Sequence, residues 1–245
     1  LRGATYLGDR AIVVGEGGTI LWSDGDVFEA AVTGQTRWLE SVTASPDRVV
    51  AVGDGGTVLV STNGVDWRAA STGKTNNLTS VTYASGLFVA VGDAAFVASS
   101  ADGLTWTVRN TGKTGFNLYR VAPVSTGIMA VGDSGNYVIS RTAQLTQWDS
   151  GRIVTTNALT AVLAVGSERL VGGAGELRFG VSLFGNWVWS SEVNPLRANP
   201  APLLTYQCLL WDGQQVVAGT RGGLIVTGTR SSTFAGFNWS YTEPT

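Results

Sequence analysis

Four carboxylates recur at near-constant spacing: Glu16, Asp54, Asp93 and Asp133 stand 38, 39 and 40 residues apart. Each follows the glycine that closes an apolar run, as in VVAVG before Asp54. Set around one face of a repeating fold, they form a candidate mouth for a cation, a basic side chain or a glycan. Lys74, Lys113, Arg37 and Arg152 fall on the segments between repeats, outside that arc. The competing reading is local. Asp-Gly and Glu-Gly are good turn pairs, because a short carboxylate can bond its own backbone and glycine accepts positive φ.

The remaining inventory is poor in chemistry. There is no histidine, which removes Ser-His-Asp triads, Cys–His pairs and His metal ligands together. A glycosidase needs only two carboxylates. However, Asp24, Asp54, Asp93, Asp102 and Asp133 all sit in turn contexts, and Glu168, Glu176, Glu192, Asp149 and Asp212 show no pairing. The arginines are scattered. No catalytic residue, metal ligand or cofactor is expected, and no enzyme. Cys208 stands alone in TYQCLLW and reads as a buried thiol rather than a nucleophile. The other candidate binding residues are aromatic. Phe184, Trp187, Trp189, Trp211, Phe237 and Trp239 crowd the last quarter of the chain, and exposed rings stack on sugars or anchor protein interfaces. Trp189 and Trp239 read as packing rings equivalent to Trp67, Trp106 and Trp148. Trp187 and Trp211 are left as candidate contacts.

These residues belong to a repeat. Gly15, Gly53, Gly92, Gly132, Gly172 and Gly219 close successive apolar runs, 38, 39, 40, 40 and 47 residues apart. A period near 40 is the mark of a repeat architecture. One copy holds four β-rich runs, Leu78–Tyr83, Leu87–Val91, Phe96–Ser100 and Thr105–Arg109, the last two separated by Asp102-Gly103. Such runs are strands joined by tight hairpins; a two-residue type I′ turn would need positive φ at both central positions. Four antiparallel strands per repeat make the blade of a β-propeller. The expected fold is therefore all-β, one propeller domain over 1–245. Its six blades fall near 1–32, 38–71, 78–110, 118–152, 159–193 and 203–242, with a seventh if residues precede Leu1. The connecting segments TGQTR (33–37), TGKTNN (72–77) and TGKTGFN (111–117) are alike, and one loop shape is expected for all three. Three prolines in NPLRANPAP (194–202) predict a stiff extended loop.

Ser61–Trp67 (STNGVDW) and Ser100–Trp106 (SADGLTW) resemble the Asp-box, the bacterial neuraminidase repeat. With A-V-G-D ahead of them, the whole repeat is similar to that of the photosystem II stability and assembly factor family. The resemblance is good in blades one to three, partial in four and weak in five and six. It implies a propeller that serves as an exported assembly factor. Sialidases share the Asp-box, but nothing here matches a sialidase arginine cluster.

Charged residues make up 14% of the chain and the formal net charge is −2. This argues against a nucleic-acid groove, which needs a concentrated basic stripe. No apolar run is long enough to span a bilayer, and no signal peptide is evident. The start at Leu1 without Met reads as a processed product or a segment of something longer. The expected function is a non-catalytic binding or structural module that docks to a protein assembly or a surface glycan. An extracellular or virion setting is expected, with periplasm or thylakoid lumen as the alternative.

Overall fold

A computed structural model of the chain describes residues 1–183, 186–190, 205–221, 223–230 and 237–242. Phe184, Glu192 and the proline-rich stretch 194–202 lie outside the described residues. Blade two shows how a repeat folds. Its strands are Leu39–Ala44, Val49–Gly53, Thr57–Ser61 and Arg68–Ser71, paired antiparallel in chain order. Every residue of the two central strands is buried, while the outer strand is mostly exposed. That is why the central strands read as continuous apolar runs: both of their faces are covered.

The same four-stranded order recurs in every blade. First and last strands are Gly3–Leu7 and Glu29–Ala30 in blade one, Leu78–Ala84 and Thr107–Val108 in blade three, and Leu118–Val124 and Trp148–Arg152 in blade four. They are Leu159–Val165 and Asn186–Trp189 in blade five, and Tyr206–Trp211 and Phe237–Thr242 in blade six. The protein is a six-bladed β-propeller, and both terminal blades hold four strands of their own. By its internal contacts the chain divides into two compact units, Leu1–Ala130 with Val138–Asp149, and Val131–Tyr137 with Ser150–Thr245. The division passes through blade four.

The cores lie between successive blades. Val50, Val52, Val58 and Val60 of blade two pack on Leu78, Val81, Phe88 and Ala90 of blade three. Ile12, Val14 and Ile20 of blade one pack in the same way on Leu39, Val42, Val49, Ala51 and Leu59 of blade two. Like clusters join blades three and four, and five and six. Alternation along each strand thus sends one set of side chains to the preceding blade and the other to the following one.

The glycine closing the second strand has a specific task. A Cβ on Gly53 would lie 1.9 Å from the carbonyl oxygen of Trp38, and one on Gly92 would lie 1.9 Å from that of Asn77. These carbonyls, each of the residue directly before the first strand of its blade, accept N–H bonds from Asp54 (3.0 Å) and Asp93 (3.1 Å). In blade five the residue in this role is Gly173, whose Cβ would lie 2.2 Å from Ala158 O, and not Gly172. Strand register agrees: Leu39 pairs with Gly53 and Leu159 with Gly173. In blade six Thr220 takes the place, paired with Tyr206, and Arg221 N donates to Thr205 O at 2.9 Å. The period assigned to Gly172 and Gly219 is therefore one residue short, and a one-residue slip exchanges the two faces of a strand.

That slip bears on Cys208, which is exposed and not buried. Its register mate Gly219 places it level with Ser41, which pairs with Val52. In blades two and three this position is buried against the next blade, where the Ser41 and Ser80 hydroxyls accept the N–H groups of Val81 and Val121. In blade six the same position is exposed.

The third residue of the blade-two turn, Gly56, is packed nearly as tightly as Gly53. A Cβ on Gly56, at φ 74°, would lie 2.2 Å from Lys74 O, whereas Gly73, at φ 73°, has open space around it. Gly73→Ala should cost about 1 kcal/mol for the left-handed conformation alone. Gly56→Ala should cost about 1–3 kcal/mol more, because the connecting segment must also move. Urea unfolding of the two variants beside the parent chain measures the difference.

Candidate functional site: the repeated turns and the segments that clamp them

Glu16, Asp54, Asp93 and Asp133 each open a single 3₁₀ turn of one form, with an extended glycine before it and positive φ at the next residue: Gly17, Gly55, Ala94 and Ser134. Two neighbouring segments hold the turns of Asp54 and Asp93. The segment before the blade supplies the carbonyl described above. The segment after it supplies an asparagine: Asn77 Oδ1 accepts from Gly55 N at 2.8 Å, and Asn117 Oδ1 from Ala94 N at 3.1 Å. Asn76 adds its side-chain N–H to Asp93 O. Asn77 and Asn117 were not singled out in the sequence. Their signal was there, because both stand directly before the leucine that opens the next blade.

The three like segments take one shape. Gly34, Gly73 and Gly112 have φ of 68°, 73° and 70°, and Thr33, Thr72 and Thr111 accept the N–H two residues on. Arg37 and Arg152 bend back onto the turns and donate to Gly55 O and Ser134 O. Lys74 and Lys113 are exposed. Glu16 is exposed and meets Arg2 at 3.3 Å. The carboxylates of Asp54 and Asp93 are half-buried, and neither has a side-chain partner among the described residues.

The hairpin between the third and fourth strands is longer than a two-residue turn. Only Gly64 and Gly103 have positive φ there, so it is not type I′. Asp102 Oδ1 accepts N–H bonds from Leu104 and Thr105, both 2.8 Å. Asn63 Oδ1 does the same for Val65 and Asp66, both 2.9 Å. The following tryptophan closes each loop, Trp67 Nε1 donating to Gly64 O and Trp106 Nε1 to Gly103 O. In blade four a longer loop is pinned instead by Arg141 on Asp149.

The other sequence candidates serve the framework. Trp211 packs in the cluster between blades five and six, edge-on to Phe237 at 6.4 Å. Trp187 stacks on Trp189 at 6.0 Å, and the Arg169 guanidinium lies over it at 5.2 Å. Trp189 and Trp239 each cover a glycine across the strand pair, Gly180 and Gly228, where a Cβ would lie 2.6 Å from the ring. This differs from the loop-closing pose of Trp67 and Trp106. Arg169 is buried at a core position, and burial lowers its pKa. Glu176 is also buried and is bound by Arg178 Nε at 3.0 Å and by the Thr155 hydroxyl. Asp212 accepts backbone N–H bonds from Gln214 and Gln215, which hold its carboxyl below the usual range. The Tyr206 hydroxyl is buried with no partner among the described residues, and burial pushes its pKa up to about 12. Among the described residues no three acids or thiols gather as metal ligands, and no helix is long and apolar enough to cross a membrane.

The Asp102 loop is expected to respond to acid. The Thr105 and Leu104 N–H groups hold its carboxyl down to about 2. A carboxylate depressed on folding contributes stability above its unfolded pKa near 3.9 and loses it as pH falls toward the folded value. Unfolding free energy should therefore drop between about pH 4 and pH 2, and less so in Asp102→Asn, which keeps the acceptor as Asn63 does. Asp102→Ala should lose about 1–2 kcal/mol at neutral pH. Denaturant titrations at several pH values test both.

No protein-family model matches the chain, and no curated protein matches its sequence. Solved structures do. It is similar to YCF48 from Cyanidioschyzon merolae, with 15% identity over 99% of this chain and 84% of that one and a TM-score of 0.71. It is similar to YCF48 bound to D1 peptide, with 15% identity over 96% and 79% and a TM-score of 0.73. A third match is the β-propeller domain of Cps50 (Swd1) from Myceliophteria thermophila, with 14% identity over 100% and 87% and a TM-score of 0.70. The resemblance read from the sequence to photosystem II assembly factors has its structural counterpart in the two YCF48 chains, and what the chain shares with all three is the β-propeller fold.

Proposed function

We propose that the chain is a non-catalytic propeller that docks a basic segment of a partner protein on its clamped turns. The observation that carries this is the pair Asp54 and Asp93. Two half-buried carboxylates stand at one register position of neighbouring blades, with their backbones fixed and their side chains free of partners. Fixed acceptors need little reordering to receive a cation, which favours binding. The acids and arginines elsewhere hold loops and strands, which favours a scaffold over an enzyme. Protein is favoured over glycan because Trp187 and Trp211 are turned to internal packing. The likeness to YCF48 bound to D1 peptide supports a narrower second reading, a factor that holds a client peptide during assembly.

Calorimetric titration with short lysine- and arginine-rich peptides, acidic controls and a set of soluble glycans tests the reading. Basic peptides should bind, and the double substitution Asp54→Asn, Asp93→Asn should weaken them at least fivefold. Binding that ignores both substitutions would move the site elsewhere. Binding of glycans alone would replace the protein partner with a carbohydrate.

A further inference from the structure

Asn63-Gly64 is the one Asn-Gly pair of the sequence. Such a pair is chemically labile, because glycine has no side chain to hinder attack of its own nitrogen on the asparagine amide. The Gly64 nitrogen, once deprotonated, bonds to Asn63 Cγ. The Cγ–Nδ2 bond breaks, and ammonia leaves with a proton taken from water. One water then opens the five-membered imide at either carbonyl and yields aspartate or isoaspartate.

Packing requires the glycine. A Cβ on Gly64, at φ 75°, would lie 2.8 Å from Ile12 Cδ1 and 3.1 Å from Arg10 Cδ in blade one. Asn63 is exposed, so water and hydroxide reach it. The loop nevertheless engages both reacting groups. The Gly64 N–H donates to Ser61 Oγ at 2.8 Å, and both residues are buried. Asn63 Oδ1 accepts from the Val65 and Asp66 N–H groups, both 2.9 Å, and from the Ser61 hydroxyl at 3.0 Å. Asn63 Nδ2 donates to Asp66 Oδ2 at 2.9 Å.

We propose that Asn63 is a deamidation site gated by its own loop. Closed, the loop ties up the Gly64 N–H and both ends of the amide; local opening releases them to react. The product does not fit back. Aspartate at position 63 would set a second carboxylate against Asp66 where an N–H donor now stands, and like charges in contact repel. Blade three carries the acid safely, because Asp102 has Thr105 where blade two has Asp66. Isoaspartate fits less well still. Its former side-chain carbonyl joins the main chain, so the two forward N–H bonds lose their acceptor. The reaction also loosens Arg10, which crosses from blade one to donate to the Asn63 carbonyl and lies over Trp22 at 4.5 Å. One modification thereby undoes a tie between blades one and two.

Mass spectrometry of the peptide carrying Asn63 follows the reaction in mildly alkaline buffer. The denaturant-unfolded chain should deamidate there, and the folded chain at least tenfold more slowly. Ser61→Ala frees the Gly64 N–H and should raise the folded rate at least threefold, with a circular-dichroism melt as the check that the variant folds. Asp66→Ala, which removes only the bond to Nδ2, gives the same comparison from the outer side of the loop. Asn63→Asp stands in for the product. Its melt should fall below the parent's at low salt, and adding Asp66→Thr should recover most of the loss. Equal rates in folded and unfolded chains would overturn the gate, as would folded Ser61→Ala and Asp66→Ala chains that both react at the parent's rate. An unfolded chain that keeps its amide would remove the site. An Asn63→Asp melt at or above the parent's would refute the misfit of the product.

Discussion

One contact sets how the chain enters blades two, three and five: the carbonyl just before the first strand lies where a side chain on the glycine closing the second strand would be. Trp38 O over Gly53 and Asn77 O over Gly92 fix how the chain enters a blade relative to the end of that blade's second strand. The N–H of the next residue, Asp54 or Asp93, is bound in the same step. Any side chain at the glycine would push the segment away, and the acid that follows stands where the turn begins. The spacing of the acids is thus a by-product of how the backbone is clamped. Asn77 and Asn117 complete the clamp from the other side.

The architecture was legible because its causes are local. Glycine before acid, continuous apolar runs and polar hairpins each follow from backbone chemistry within a few residues, and they repeat. What failed to show was set by register. Gly172 and Gly173 are adjacent, and only the carbonyl of Ala158 distinguishes them. Cys208 lies in a strand as apolar as any other, and its register sets it on the face opposite Leu209 and Trp211, which pack in the core. The hairpins misled for another reason. Asn63 and Asp102 bond forward to two N–H groups and so support a wider loop than the Asn-Gly or Asp-Gly pair suggests.

The candidate site was half legible. The four acids were found by spacing, and the structure places each at the head of the same turn. Their surroundings were not legible, since Arg2 reaches Glu16 from 14 positions away and the asparagines come from the next segment. The tryptophans show the converse. Composition made Trp187 and Trp211 conspicuous, but a ring's value for binding depends on which side is open, and Arg169, Trp189 and Phe237 occupy theirs.

Among the described residues, each of the four clusters above draws on two successive blades. Stability in such a molecule behaves as a chain of links between neighbours, as in a one-dimensional array. A blade packed on both sides, as blades two and three are, opens only when two such clusters are broken. The strands Val49–Gly53 and Leu87–Gly92, buried in blades packed on both sides, are where amide protons are expected to be slow to reach solvent.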